Sequence, residues 1–225
     1  MDEFVIQQKN EGLLTAISAV IKLIDNISDR EAAIELEDSV ASAEVSKTYL
    51  EYVKSFPELA QLIEERYTGP TINLETLLKL PSDSLGYLFA FKMKAINLDI
   101  EYFIKDRSNV TKVDEEIAYL RLLMRKTHDI WHLVTGFDVT LGGELGVKGF
   151  ELAQYHSPLS VFAVVIVLLT AINNAKEMNS RIEQFIRGYH MGLKSKLLLA
   201  EKWEERWEQP LTEVRSELNI EPYES

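Results

Sequence analysis

The chain contains no cysteine. Disulfides and thiolate metal sites are therefore excluded, and any bound metal must be held by histidine and carboxylate side chains. That donor set suits zinc, iron or manganese. Histidine is scarce, with four in 225 residues, so any two placed close together carry weight. Positive charge is also short: 24 Lys and Arg face 36 Asp and Glu, for a net charge of −12, and the basic residues form no run. That balance argues against binding to a nucleic-acid backbone, which needs a basic face to displace counterions, and leaves room only for a local basic patch. No hydrophobic run is long. The most apolar stretch, Leu159 to Ile172, falls short of the ~20 residues that span a bilayer. It reads as a buried helix, with an interfacial helix as the alternative. The opening MDEFVIQQKNEG has neither an apolar secretory core nor an Arg-rich amphipathic pattern, so the expectation is a bacterial cytoplasmic protein.

What is there is helical. Ten glycines and six prolines punctuate the chain, apolar residues recur at three- and four-residue spacing, and strand-like alternation is absent. Leu13, Leu14, Ile17, Val20, Ile21 and Ile24 form one face of a helix over 12–26. Asp29 caps a second helix, Arg30 to about Ser55. The sequence Ser55–Phe56–Pro57–Glu58 opens a third, which stops near Gly69–Pro70. A connector runs from Thr71 to Ser84, and a helix from Leu85 to about Ile104 follows. After a polar loop, Asp106 to Thr111, Val113 starts a helix that continues to about Thr135. Gly136 and Gly142–Gly143 predict a loop from Phe137 to Leu141, with a helix from near Glu144 to about His156. Pro158 starts the apolar helix, which extends to about Asn179. An amphipathic helix spans Ser180 to Glu205, and a short one Pro210 to Leu218. The fold class is all-α, a multi-helix bundle-like domain over residues 56–225, with residues 1–55 as an N-terminal helical hairpin packed on it.

Two of the four histidines fall in His128–Asp129–Ile130–Trp131–His132. The i, i+4 spacing puts both imidazoles on one helix face, within reach of a single ion. Asp129 can ligate as well, or fix a histidine tautomer from behind. Glu144 follows past the glycine-containing loop, which can turn its carboxylate back toward the pair. Two histidines with one or two carboxylates leave open positions for water or substrate. The same residues are also compatible with a hydrogen-bonded surface pair and an ordinary first-turn glutamate. His156, before Pro158, reads as a helix end, and His190 as core or surface.

The pattern His128, Asp129, His132 and, twelve residues on, Glu144 resembles the signature of the Coq-four family of coenzyme Q (ubiquinone) biosynthesis proteins. Leu80–Pro81 with Ser84–Leu85–Gly86, Tyr119 to Lys126, Gly146 to Gln154, and Trp203 to Ile220 are similar to that family's flanking segments. The resemblance covers roughly residues 55–220. It implies a helical protein that works with other quinone-biosynthesis proteins at a membrane surface and binds a long isoprenoid, prenylated quinone precursor. It also implies a role in removing the ring carboxyl of that precursor, with hydroxyl in its place, and a divalent metal (zinc or iron) on His128, Asp129, His132 and Glu144. The first 55 residues have no recognised counterpart in it.

Three functions compete on this reading. The first is a metal-dependent oxidative decarboxylase acting on a prenylated hydroxybenzoate. The second is a lipid-binding scaffold with a structural metal. The third, a hydrolase of the His–Asp type, needs an upstream histidine, and none precedes His128. An apolar channel is expected from Leu159 to Ile172 with Leu85 to Phe91, Ile96 and Leu98, although most of these residues read as core. Met191, Leu193, Leu197, Leu198 and Trp203 read as core or as a homodimer surface. Arg121, Arg125 and Lys126, and the run Glu201 to Glu208, read as solvated helix faces.

Overall fold

The computed structural model describes residues 3–27, 29–42, 44–95 and 115–224. Among them are eleven α-helices and no strand; Ser84 and Pro210 form an isolated bridge. The helices are α1 (Glu3–Asp25), α2 (Arg30–Ser42), α3 (Glu44–Val53), α4 (Pro57–Glu65), α5 (Leu74–Leu77) and α6 (Leu85–Ala95). They continue with α7 (Glu115–Thr135), α8 (Leu141–Tyr155), α9 (Pro158–Leu169), α10 (Ala175–Lys194) and α11 (Leu211–Glu217). Two 3₁₀ turns, Leu198–Ala200 and Trp203–Arg206, lie between α10 and α11. The all-α class is as expected. The polar loop at Asp106 to Thr111, the end of the helix expected to reach Ile104, and Ile96 and Leu98 lie outside the described residues.

Asp29 caps α2 as its position predicts, its Oδ1 accepting from the Ala32 amide at 3.0 Å. The stretch expected as one helix from Arg30 to Ser55 is instead α2 and α3. The Ser46 hydroxyl donates to the Val40 carbonyl six residues back, a reach that an unbroken α-helix does not allow. Helix α4 starts at Pro57 but stops at Glu65, not at Gly69–Pro70. Arg66 takes a left-handed conformation (φ 49°), and the Tyr67 and Arg66 amides close back on Leu62 and Ile63. A non-glycine residue gives no sequence signal for that cap.

Helix α8 begins at Leu141 and not at Glu144. Thr140 caps it by accepting from the Gly143 amide, which places both glycines inside the first turn. Glycine costs a helix about 1 kcal/mol per residue, and here close packing offsets it. Among the described residues, helices α8 and α10 form the most extensive helix pair. At their crossing a Cβ on Gly188 would collide with the Gly146 carbonyl.

The apolar helix ends at Leu169, short of Asn179. Arg181 reaches back from α10 to donate to the Val167 carbonyl at 2.5 Å and the Thr170 hydroxyl at 2.6 Å, and Asn174 caps α10. The helix expected to run to Glu205 ends at Lys194. Beyond it Gln154 takes the backbone of Lys196 and Leu198 into two hydrogen bonds, holding that segment out of helical form.

The main core joins Leu59 and Ile63 of α4, Leu85 and Phe89 of α6, Trp131 of α7, Phe150 and Tyr155 of α8, and Leu198 and Trp203. Leu85 and Phe89 therefore sit in the core and not along a channel. A smaller cluster unites Ala16, Ala19 and Leu23 of α1 with Ala32 and Leu36 of α2 and Ile166 of α9. Arg121 and Arg125 are not a solvated face. They pair with Glu37 at 2.8 and 2.5 Å, and Arg121 also with Asp38 at 3.0 Å, binding α7 to α2. Nor is the run Glu201 to Glu208 wholly solvated, since Trp203 is buried within it and Glu204 bonds the Tyr67 hydroxyl. The stretch Leu159 to Ile172 is not the buried helix expected: Val161 (50%), Val165 (43%), Leu169 (38%) and Ile172 (64%) are exposed. The reason is geometric. Among the described residues, it is the side carrying Leu159, Ser160, Phe162, Ile166, Val167 and Ala171 that packs against the rest of the fold.

Candidate metal centre

Helix α7 supplies the histidine pair and α8 the glutamate. Arg215, reaching from α11, donates to the Leu133 and Val134 carbonyls, and the Tyr223 amide to that of Thr135, so the end of α7 is held by the C-terminal segment. His132 is 1% exposed and His128 partly buried. Their Nε2 atoms lie 3.2 Å apart. Glu144 offers one oxygen to each, Oε1 at 3.1 Å from His132 Nε2 and Oε2 at 3.4 Å from His128 Nε2. Ligands ~2.0–2.1 Å from a tetrahedral ion are separated by ~3.3 Å, so the trio fits one first-row divalent metal.

The other ring nitrogens are also engaged. His132 Nδ1 lies 3.1 Å from the Phe137 carbonyl, which can only accept, so the proton sits on Nδ1 and the Nε2 lone pair faces the common focus. His128 Nδ1 lies 3.4 Å from Glu151 Oε1. Phe137 is fixed in turn by stacking on Tyr223, with ring centroids 4.8 Å apart.

Electrostatics favour a cation between these groups. Burial and Lys148 oppose charge on His128, but hydrogen bonds to Glu144 and Glu151 carry its pKa up to about 9. Burial pushes Glu144 up, but the two histidines hold its carboxyl far below the usual range. Glu151 is desolvated as well, and Lys148 and His128 keep it at about 2.

Of the four residues expected as ligands, His128, His132 and Glu144 converge, with ligand atoms within 4.8 Å of one another. Asp129 is not in that group. Its charge acts instead on the half-buried Lys92 of α6, alongside Asp138 and Glu144, against the burial that lowers that lysine's pKa. Sequence reasoning missed three groups: Lys92, the Phe137 carbonyl and Glu151. A backbone carbonyl leaves no sequence signal. Glu151 does leave one, since it stands two turns beyond Glu144 on the same helix. His156 ends α8 in a left-handed conformation (φ 52°) and stacks on Tyr52. His190 is exposed and lines a cavity of about 460 Å³, with Arg187, Lys194 and Arg215, to which the ligand trio does not contribute. A narrow apolar cleft between α2, α3, α7 and the start of α9 is lined by Val40, Tyr49, Ile117, Leu120, Met124 and Leu159. Among the described residues no helix is long and apolar enough to cross a membrane.

Comparison with known proteins gives a consistent picture. The profile described as "Coenzyme Q (ubiquinone) biosynthesis protein Coq4" matches residues 3–224. The mitochondrial ubiquinone biosynthesis protein COQ4 of Coccidioides immitis is 37% identical over 161 residues, 69% of this chain and 53% of that protein. The chain thus spans about half that relative's length. The mitochondrial COQ4 homolog of Aedes aegypti is 25% identical across 98% of this chain and 82% of its own. A crystal structure from Nostoc punctiforme, provisionally named a ubiquinone biosynthesis protein, superposes with a TM-score of 0.78 at 29% identity, covering 91% of this chain and 96% of that one.

Proposed function

This chain belongs to the Coq4 family of coenzyme Q (ubiquinone) biosynthesis proteins, and from that premise we propose that it binds a divalent metal through His128, His132 and Glu144 and receives there the oxyanionic head of a prenylated quinone precursor. The observation that carries this reading is the convergence of two Nε2 atoms and a carboxylate at 3.1–3.4 Å, with both Nδ1 atoms occupied from behind. When bound, a divalent ion such as zinc supplies Lewis-acid charge for a carboxylate or phenolate, and iron would add redox chemistry. Lys92, whose charge is favoured by Asp129, Asp138 and Glu144, gives a second positive charge near the site. The activity proposed is oxidative removal of the ring carboxyl: the bond from ring to carboxyl breaks with loss of CO2, a ring–hydroxyl bond forms with oxygen from water, and dioxygen takes up the two electrons and two protons and leaves as hydrogen peroxide.

The apolar part of the ligand finds support at the exposed faces. Val161, Val165 and Leu169 line one side of α9, with Ile172 just past its end, and Leu14, Ile17 and Ile21 line one side of the neighbouring α1. Such a surface suits peripheral attachment to a membrane that holds isoprenoid substrate and the other quinone-biosynthesis proteins. A homodimer would bury the same residues, and sedimentation of the purified protein with and without vesicles separates the two.

One observation favours a second reading, a scaffold with a structural metal: the ligands lie on two helices, so the ion would cross-link α7 to α8. The experiment that tests the enzyme reading is rescue of quinone production in a cell lacking its own family member. The wild-type chain should restore it, and stable, folded H132A and E144Q variants should not. Full rescue by either variant overturns the metal-centred reading.

A further inference from the structure

Behind the His128 ring, on the side away from the ligand focus, lies a carboxylate that metal binding does not itself require. Glu151 is 4% exposed, and both of its oxygens accept hydrogen bonds. Lys148 Nζ is 2.8 and 2.9 Å from its two oxygens, and His128 Nδ1 approaches Oε1 at 3.4 Å. The Ser160 hydroxyl donates to Oε2. A buried carboxylate is retained at a cost unless its partners fix it completely. One lysine would neutralise the charge, but the histidine and the serine give it direction.

We propose that Glu151 is a positioning residue of the metal centre, and that it couples the centre to helix α9. The inference rests on the metal reading above. Lying 3.4 Å from Nδ1, the Glu151 carboxylate would orient the His128 ring so that Nε2 faces Glu144 and His132, the arrangement in which a carboxylate positions a metal-bound imidazole. Lys148 holds Glu151 on its own helix, one turn away. Ser160 is the link outward. It sits in the first turn of α9, its amide donating to the Ser157 hydroxyl at 3.3 Å, and α9 is the helix whose far side is the exposed apolar stripe. The buried hydroxyls of Tyr49 and Tyr155, which have no hydrogen-bond partner among the described residues, feel the same charge. A shift of α9 at an apolar surface would pull on Ser160, then Glu151, then the ring of His128. By reciprocity, metal at His128 would steady α9.

The test uses the full-length chain with Zn²⁺ alone, titrated against a chelator, and with Co²⁺, whose visible spectrum reports ligand geometry. E151Q keeps the volume but weakens the acceptor. It should bind Zn²⁺ about 10- to 100-fold more weakly than wild type, with an altered Co²⁺ spectrum. S160A leaves Lys148 and His128 on Glu151 and keeps the test decisive if E151Q does not fold. In wild type, Zn²⁺ should slow amide exchange across residues 158–169, and in S160A that protection should be lost. Wild-type affinity and spectrum in E151Q, with binding lost in H132A, would overturn the positioning role. Equal protection of α9 in S160A and wild type would overturn the coupling. A wild-type chain that binds neither ion would overturn the metal reading together with this inference.

Discussion

The Nε2 atoms of His128 and His132 lie 3.2 Å apart, while their Nδ1 atoms face in different directions, toward the Glu151 carboxylate and the Phe137 carbonyl. Two imidazoles so close are stable only with a proton or a cation shared between them and Glu144. The backs of the rings are held by groups from α8 and from the loop before it, so the orientation of the pair does not rest on a ligand.

Metal should stabilise the folded chain. At 100 times its Kd, an ion bound only by the native state adds about 2.7 kcal/mol. At about 2–4 °C per kcal/mol for a chain of this size, Zn²⁺ should raise Tm by about 5–10 °C. H128A, H132A and E144A should show no such rise in a thermal melt followed by circular dichroism. A shift of wild-type size in H132A would remove His132 from the ligand set.

The α2–α7 contact should carry an acid-sensitive part of stability. Burial pushes Glu37 up, but hydrogen bonds and charge from Arg121 and Arg125 bring it below its usual value of 4.5. A group depressed in the folded state stabilises above its unfolded pKa and loses that contribution as pH falls through the folded one. Denaturant unfolding between pH 6 and 3 should therefore show a smaller loss of stability in E37Q than in wild type. At neutral pH, E37Q should be less stable by about 1–2 kcal/mol.

Gly188→Ala should separate α8 from α10. The added methyl meets the Gly146 carbonyl, a backbone atom that cannot swing aside. Overpacking of this kind costs about 2–3 kcal/mol. Because α8 carries Glu144, Zn²⁺ affinity should fall too. Chelator competition on the folded variant tests this, and an unchanged melt would show that the crossing relaxes.

Membrane attachment should depend on α9. Removing two valines from an apolar contact costs about 2–3 kcal/mol, so V161E/V165E should weaken binding to vesicles carrying anionic lipid by about 30-fold or more. Both residues are half-exposed, and the melt should not move. Unchanged vesicle co-sedimentation, with loss of self-association, would assign the face to a second copy of the chain.

Much of this was legible in the chain. The i, i+4 spacing of His128 and His132 and the position of Glu144 identify the trio, and apolar periodicity identifies an all-α fold. Misreadings clustered where a distant side chain decides a local conformation. Gly142–Gly143 predict a loop because glycine weakens helices, but in the fold Gly142 packs against Gln184 of α10 and Gly143 against Asp138 of the preceding loop, where a larger side chain would collide. The helix expected through Ser195 is broken by Gln154, forty residues earlier, whose amide competes for backbone groups. Arg121 and Arg125 carry no local mark of burial, because Glu37, which pairs with both, comes from α2 more than eighty residues away.

Composition and spacing by themselves determined which atoms could bind a metal, because no cysteine is present and only one histidine pair shares a helix face. Those are properties of residue type and helical pitch, and both are local. Tertiary structure decided which carboxylates answer the pair, drawing in Glu144, leaving Asp129 outside the trio and placing Glu151 behind the ring. It also decided that α9 keeps its apolar side in the open. Such choices depend on how helices far apart in the chain cross, and that crossing is set by side-chain volumes summed over the whole core.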